Sequence, residues 1–170
     1  EIFQMEVPKG FERQIILITD GQVGNEKDIL NLVVNNHQTR VFSVGIGHGP
    51  NEYFVRQLAK NGRGASQLVA PGERIERRIL NLFKQVMSER IDNLKILWDG
   101  GLEQAPSNPF IFRGEVLSLL ARVKEIKNLP ERIAVSGIIG GEQKKWSIEV
   151  RELMTSETQI PQLWAREMIR

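Results

Sequence analysis

The run Ile15-Ile16-Leu17-Ile18 is apolar at every position, so a strand built from it needs cover on both faces, as strands have in parallel sheets. Thr19-Asp20-Gly21 stops the run. Asn25 then offers a cap ahead of Glu26 and Asp28, acids that suit a first helical turn, and Ile29, Leu30, Val33 and Val34 form an apolar side. A second strand, Val41-Phe42-Ser43-Val44-Gly45-Ile46, ends at Gly47-His48-Gly49-Pro50. A helix over residues 52–60 buries Phe54, Val55, Leu58 and Ala59, and Asn61-Gly62 supplies a left-handed stop. Residues 65–69 make a third strand closed by Pro71-Gly72. A third helix over residues 73–90 places Ile75, Ile79, Leu82, Phe83, Val86 and Met87 on one stripe. This alternation of strands and helices predicts a parallel sheet with right-handed crossovers.

Beyond residue 91 the pattern changes. Residues 93–98 alternate as a strand does, Gly100-Gly101 with Pro106 and Pro109 marks a loop, and residues 115–123, 132–139 and 144–150 read as short strands. Gly140-Gly141 is a hairpin signal, so antiparallel pairing is expected. Pro161 opens a last helix carrying Leu163, Trp164, Met168 and Ile169, which stops at Arg170 in mid-pattern. Trp98, Trp146 and Trp164 fall in this half, and packing between layers is their expected role. The fold class is thus α/β, a partial Rossmann-like parallel sheet with flanking helices, then a small antiparallel β unit and a C-terminal helix. Boundaries fall at 1–91, 92–155 and 156–170.

Composition narrows the function. The chain has 170 residues, with 23 Lys and Arg against 21 Asp and Glu, too balanced for a face built for phosphate backbones, so no nucleic-acid partner is expected. Cysteine is absent, which excludes disulfides and thiolate sites. No apolar run reaches membrane-spanning length. The first residue is not methionine and a core strand begins almost at once, so a piece of a longer protein is expected.

Chemistry-bearing motifs are few. Gly45-Ile46-Gly47-His48-Gly49 is followed by Pro50 rather than a helix, and Val69-Ala70-Pro71 closes the next strand without an acid, against dinucleotide binding. His48 sits in a loop and His37 near a helix end, with no nucleophile or acid selected by spacing, so solvated histidines are expected and no catalytic residue is assigned. Arg74, Arg77 and Arg78 read as a solvated helix face.

The segment from Ile16 to Glu26, with Thr19-Asp20-Gly21 at its centre, resembles the fourth strand and following loop of von Willebrand factor A (vWA) domains. Val41-Phe42-Ser43-Val44-Gly45-Ile46-Gly47 resembles the fifth strand, and Asn51-Glu52-Tyr53-Phe54-Val55-Arg56-Gln57-Leu58-Ala59 with Gly62-Arg63-Gly64 the next helix and turn. Within that family the chain is most similar to the branch that joins a VIT domain to a vWA domain, as in inter-alpha-trypsin inhibitor heavy chains, where a β-rich segment and a Leu-Trp-Ala-Arg motif follow. Here that motif is Leu163-Trp164-Ala165-Arg166.

The resemblance implies the C-terminal half of a vWA domain in a non-enzymatic binding or adhesion protein, extracellular or at a cell surface. Its protein partner would be met near Asp20, Gly21 and His48. The family's metal site takes an Asp-x-Ser-x-Ser motif, a Thr and an Asp after the fourth strand; only the last has a counterpart here, Asp20. No cofactor is expected in this chain alone, and Mg²⁺ is a candidate for the full-length protein. The residue-level alternative makes Asp20 a turn residue bonding backbone amides. Two other function classes stay open: a small α/β enzyme or nucleotide binder using the same loops, and a structural scaffold. In the complete family fold the fourth strand pairs with the first. Residues 15–18 would otherwise be an apolar edge, which residues 1–10, the β-rich half or a second copy in a homodimer would have to protect.

Overall fold

The computed structural model describes residues 2–36, 38–97, 102–107, 109–123, 131–149 and 159–169. His37, Trp98, Gly100, Gly101, the 155/156 boundary and Arg170 therefore lie outside the described residues. The chain divides into two compact units, Glu1–Ser88 and Glu89–Arg170.

In the first unit three strands, β1 (Arg13–Thr19), β2 (Thr39–Ile46) and β3 (Arg63–Val69), form a parallel sheet in the order β1-β2-β3. Between them run α1 (Glu26–Val34) and α2 (Glu52–Asn61), and α3 (Ile75–Val86) follows β3. This is the alternation expected from the sequence. Ile15 pairs with Val41 and Leu17 with Ser43, and this face packs on the helices. Val33, Val41, Phe54, Val55 and Leu58 are its buried centre, with Ile15, Leu17, Ile29, Leu30 and Leu68 against them. Burying side chains the size of Phe54 and Leu58 contributes about 2–3 kcal/mol each. Ser43, also fully buried, donates its hydroxyl to the Val55 carbonyl at 2.6 Å.

The opposite face carries Phe42 and Val44, both with no exposed surface. Gln14 points to that side and donates to the Val86 carbonyl at 3.2 Å, tying α3 to the start of β1. Of the expected α3 stripe only Leu82 is fully buried, whereas Phe83 is 47% and Met87 85% exposed. The helix is also shorter than residues 73–90. Glu73 closes the preceding turn, Met87 is the C-cap, and Arg90 already belongs to the next strand.

Two caps differ from expectation. Asn25 makes no side-chain cap bond, and its backbone carbonyl accepts from Asp28 and Ile29 instead. The side-chain cap is at α2, where Asn51 Oδ1 accepts from the Tyr53 and Phe54 amides and Nδ2 donates to Glu26 at 2.7 Å. At the end of α2 the left-handed residue is Arg63 (φ 53°), while Gly62 sits at φ −80°. The glycines there answer a packing need rather than a dihedral one. A Cβ on Gly64 would lie 2.1 Å from the Val41 carbonyl oxygen.

Among the described residues, 2–10 add no strand. Residues 2–4 form a 3₁₀ turn, Phe3 packs on the core cluster, and Arg13 donates to the Phe3 carbonyl (3.0 Å) and to that of Met5. Among the described residues β1 hydrogen-bonds to β2 alone, leaving Ile18 57% exposed.

In the second unit β4 (Arg90–Leu97), β6 (Ile111–Phe112), β8 (Arg132–Ile139) and β9 (Glu142–Glu149) form an antiparallel sheet in the order β6-β4-β8-β9. Gly140 and Gly141, both with positive φ, turn β8 into β9 as the sequence predicts. The strand expected over residues 115–123 is only β7 (Leu120–Val123), paired with β5 (Leu102–Ala105). Gln104 joins β5 to β4, accepting from the Ile96 amide at 2.8 Å and donating to the Leu94 carbonyl at 2.7 Å. Trp146 lies across Gly137, where a Cβ would also meet Ile91 at 2.6 Å. The last helix, α4 (Ile160–Ile169), contacts β5 and β7, and the Arg122 guanidinium stands 5.6 Å from the Trp164 ring centre.

Candidate functional site

Because β1, β2 and β3 are parallel, the loops at their carboxyl ends meet at one edge of the first unit, where open α/β sheets place their ligands. The order β1-β2-β3 sets Asp20-Gly21, Gly47-His48-Gly49-Pro50 and Ala70-Pro71-Gly72 side by side.

The turn after β1 is held by Thr19. Its hydroxyl donates to the Gly21 carbonyl at 2.9 Å and accepts from the Gly21 amide at 3.4 Å. The turn-residue role considered for Asp20 thus belongs to its neighbour. Asp20 is exposed, and among the described residues its carboxylate accepts no hydrogen bond.

Gly49 locks the first two loops together. A Cβ there would fall 2.2 Å from the Asp20 carbonyl oxygen and 3.1 Å from the Gly21 Cα, so only glycine permits this approach. Asp20, Gly21 and His48 therefore stand on adjoining loops, with Asp20 and His48 both exposed.

Among the described residues no three His, Cys, Asp or Glu side chains gather as a metal cluster. A hard divalent cation wants six or more oxygens, and Asp20 alone is one exposed carboxylate. The described residues at these loops do not make up such a set.

The loops after β2 and β3 also enclose a pocket of about 430 Å³ that the sequence did not signal. Gly45, Gly47 and His48 line one side, Leu68, Val69, Ala70 and Pro71 another, with Pro50, Glu52, Glu73 and Arg78 completing it. Glu73 is fully employed. One oxygen accepts from Arg78 Nε at 2.7 Å and the other from the Ala70 amide at 3.1 Å. The Arg78 hydrogen bond first, and the Ala70 amide second, hold the Glu73 carboxyl below the usual glutamate range. The reading of Arg78 as part of a solvated face missed this pairing. Glu73 and Arg78 are five residues apart, and Glu73 lies in the turn before the helix.

No family model matches the chain. It is 29% identical over 136 residues to a von Willebrand factor A domain-containing protein of Dictyostelium discoideum, a match covering 75% of this chain and 6% of that protein. It is 26% identical over 128 residues to von Willebrand factor A domain-containing protein 5A of Rattus norvegicus, covering 72% and 16%. Against protein 5B1 of Homo sapiens it is 31% identical over 98 residues, covering 57% and 8%. The chain thus spans less than a fifth of the length of these relatives. Two solved structures are similar: a von Willebrand factor type A protein from Catenulispora acidiphila (TM-score 0.47, 14% identity, 86% of this chain and 43% of that one), and the ArnB paralog VWA2 from Sulfolobus acidocaldarius (TM-score 0.40, 15% identity, 92% and 45%). Over 57–75% of its length the chain is thus similar to proteins that contain a vWA domain.

Proposed function

We propose that this chain is part of a non-catalytic protein-binding or adhesion module, whose partner is met at the strand-end loops carrying Asp20, Gly21 and His48. The observation behind this reading is the Asp20 carboxylate, exposed beside the Gly49 contact and accepting no hydrogen bond from the described residues. A carboxylate that the fold does not use is available to an outside group. The vWA-containing relatives favour an interaction role over an enzyme or nucleotide binder. The scaffold reading gains if Asp20 proves dispensable.

In the full-length protein Asp20 would join further oxygen ligands around Mg²⁺, bridging to the partner. The Leu163-Trp164-Ala165-Arg166 motif, with Trp164 under Arg122, favours the VIT-linked branch, and with it an extracellular or cell-surface setting.

The test is calorimetric titration of Mg²⁺ and Mn²⁺ into residues 1–170 and into the full-length protein. Binding in the full-length protein alone, abolished by Asp20→Ala, is the expected result. Binding in neither would leave the scaffold reading. A second reading concerns self-association. The exposed β1 edge, with Ile16 at 36% and Ile18 at 57%, favours a homodimer of the isolated chain through that edge.

A further inference from the structure

The pocket after β2 and β3 is chemically distinct from the Asp20 loop. Its lining is mixed: Leu68, Val69, Pro50 and Pro71 make an apolar side against the glycine backbone of Gly45 and Gly47, and His48, Glu52, Glu73 and Arg78 make a polar one. At about 430 Å³ it is in the range that holds a small ligand or an inserted side chain.

Two of the backbone donors around it are taken: the Gly47 amide donates to the Val69 carbonyl at 2.9 Å and the Ala70 amide to Glu73 at 3.1 Å. Arg78 is the cationic side chain of the lining. Its Nε is held by Glu73, which fixes the plane of the guanidinium, and among the described residues its two terminal nitrogens make no hydrogen bond. A guanidinium oriented at Nε, with both terminal nitrogens open, presents the fork that a carboxylate accepts in bidentate fashion.

We propose that this pocket binds a carboxylate carried on a short apolar stem. The carboxylate seats on the terminal nitrogens of Arg78 and the stem lies against Leu68, Pro50 and Pro71. Glu52 is the opposing charge. Its side chain is 71% exposed and pairs with Arg56 at 3.7 Å, so its repulsion acts through solvent and is weak. Glu73 cancels part of the Arg78 charge, but the two bonds it accepts also keep its own carboxylate ionised and the guanidinium in place. The ligand is either a free small acid or the acidic side chain of a partner protein. His48 borders both sites, but this inference does not rest on the Asp20 reading, because no metal enters it and Asp20 does not line the pocket.

The test is an amide-detected NMR titration of the whole chain with butanoate, with neutral butanamide as its isosteric control. Saturable shifts at Gly45, Gly47, Leu68 and Ala70 are expected with butanoate and not with butanamide. Arg78→Gln should weaken binding roughly ten- to a hundredfold, the loss of a charge-assisted pair. Arg78→Lys, which keeps the charge and loses the fork, should weaken it less, and it serves as the decisive variant if Arg78→Gln does not fold. Equal response to butanamide, no saturation, or unchanged affinity in the folded variants would overturn the proposal. A blocked tripeptide with a central glutamate separates the two sources: tighter binding than butanoate points to a partner's side chain, weaker binding to a free acid. Loss of cation binding in Asp20→Ala would leave every one of these results unchanged.

Discussion

Gly64→Ala tests the closest approach in the parallel sheet. The added Cβ would sit 2.1 Å from the Val41 carbonyl oxygen and 2.7 Å from its carbon, both backbone atoms of a strand paired on two sides. Neither can rotate away as a side chain would, so the start of β3 has to move off β2. That movement breaks the Val41 to Gly62 hydrogen bond (3.0 Å) and strains the Val41–Arg63 register. Overpacking of about 1–3 kcal/mol, with about 1 kcal/mol for each of one or two lost ladder bonds, predicts a destabilisation of about 2–5 kcal/mol. Gly72→Ala is the control. It has φ +78° and nothing within 4 Å, so only the left-handed strain of about 1–2 kcal/mol applies. Urea unfolding followed by far-UV circular dichroism reads the difference, since α1, α2 and α3 all belong to the first unit. Tryptophan fluorescence is an internal reference, because Trp98, Trp146 and Trp164 all lie beyond residue 88. At about 1–2 kcal/mol per molar urea, Gly64→Ala should lower the midpoint of the first unit by roughly 1–5 M. A shift no larger than that of Gly72→Ala would refute the steric argument.

Other expectations follow from burial and charge. Leu82→Ala should cost about 3 kcal/mol in a thermal melt, whereas Met87→Ala, at an 85% exposed position, should cost under about 0.5 kcal/mol; equal losses would mean that α3 packs differently. The Glu73 carboxyl should titrate by NMR below the ordinary glutamate range and move up in Arg78→Gln. Its folded value is depressed, so the stabilisation it contributes is present above the unfolded value and is lost as pH falls through the folded one. A midpoint indifferent to Arg78→Gln would sink that account. Ile18→Lys should suppress concentration-dependent self-association in sedimentation velocity while changing stability by less than about 0.5 kcal/mol. Unaltered association would remove β1 from the interface.

The parallel unit was legible because its signals are local. The apolar run at residues 15–18 and the Phe54-Val55-Leu58-Ala59 face each state their own environment, and α2 and β2 fall where the periodicity puts them. Misreadings arose where tertiary contacts decide. Asn25 has a capping side chain but does not use it, and Gly62 looked like a left-handed stop while Arg63 takes that dihedral. The α3 stripe is apolar over its whole length, yet periodicity alone cannot say that only Leu82 finds full cover. The short strands β5 and β6 carry too few residues for a period to register. At the loops, Asp20 and His48 were readable as strand-end residues, and parallel topology brings them together. The Arg78–Glu73 pair was not, because it depends on how the turn before α3 folds back.

The pairing pattern of the second unit also bears on how fast it forms. Strands β8 and β9 are joined by Gly140 and Gly141 alone, so they can zip on the microsecond scale of an isolated hairpin. Strand β4 joins them only after the chain from Leu97 to Arg132 has closed on itself, since Asp92 pairs with Ile138. Closing that loop costs roughly 2–3 kcal/mol more than closing the hairpin, before any β4 contact offsets it. The transition state for this unit should therefore contain an intact β8–β9 turn and a β4 strand still arriving. Substitutions at Gly140 would then slow folding, while those in β4 would chiefly speed unfolding.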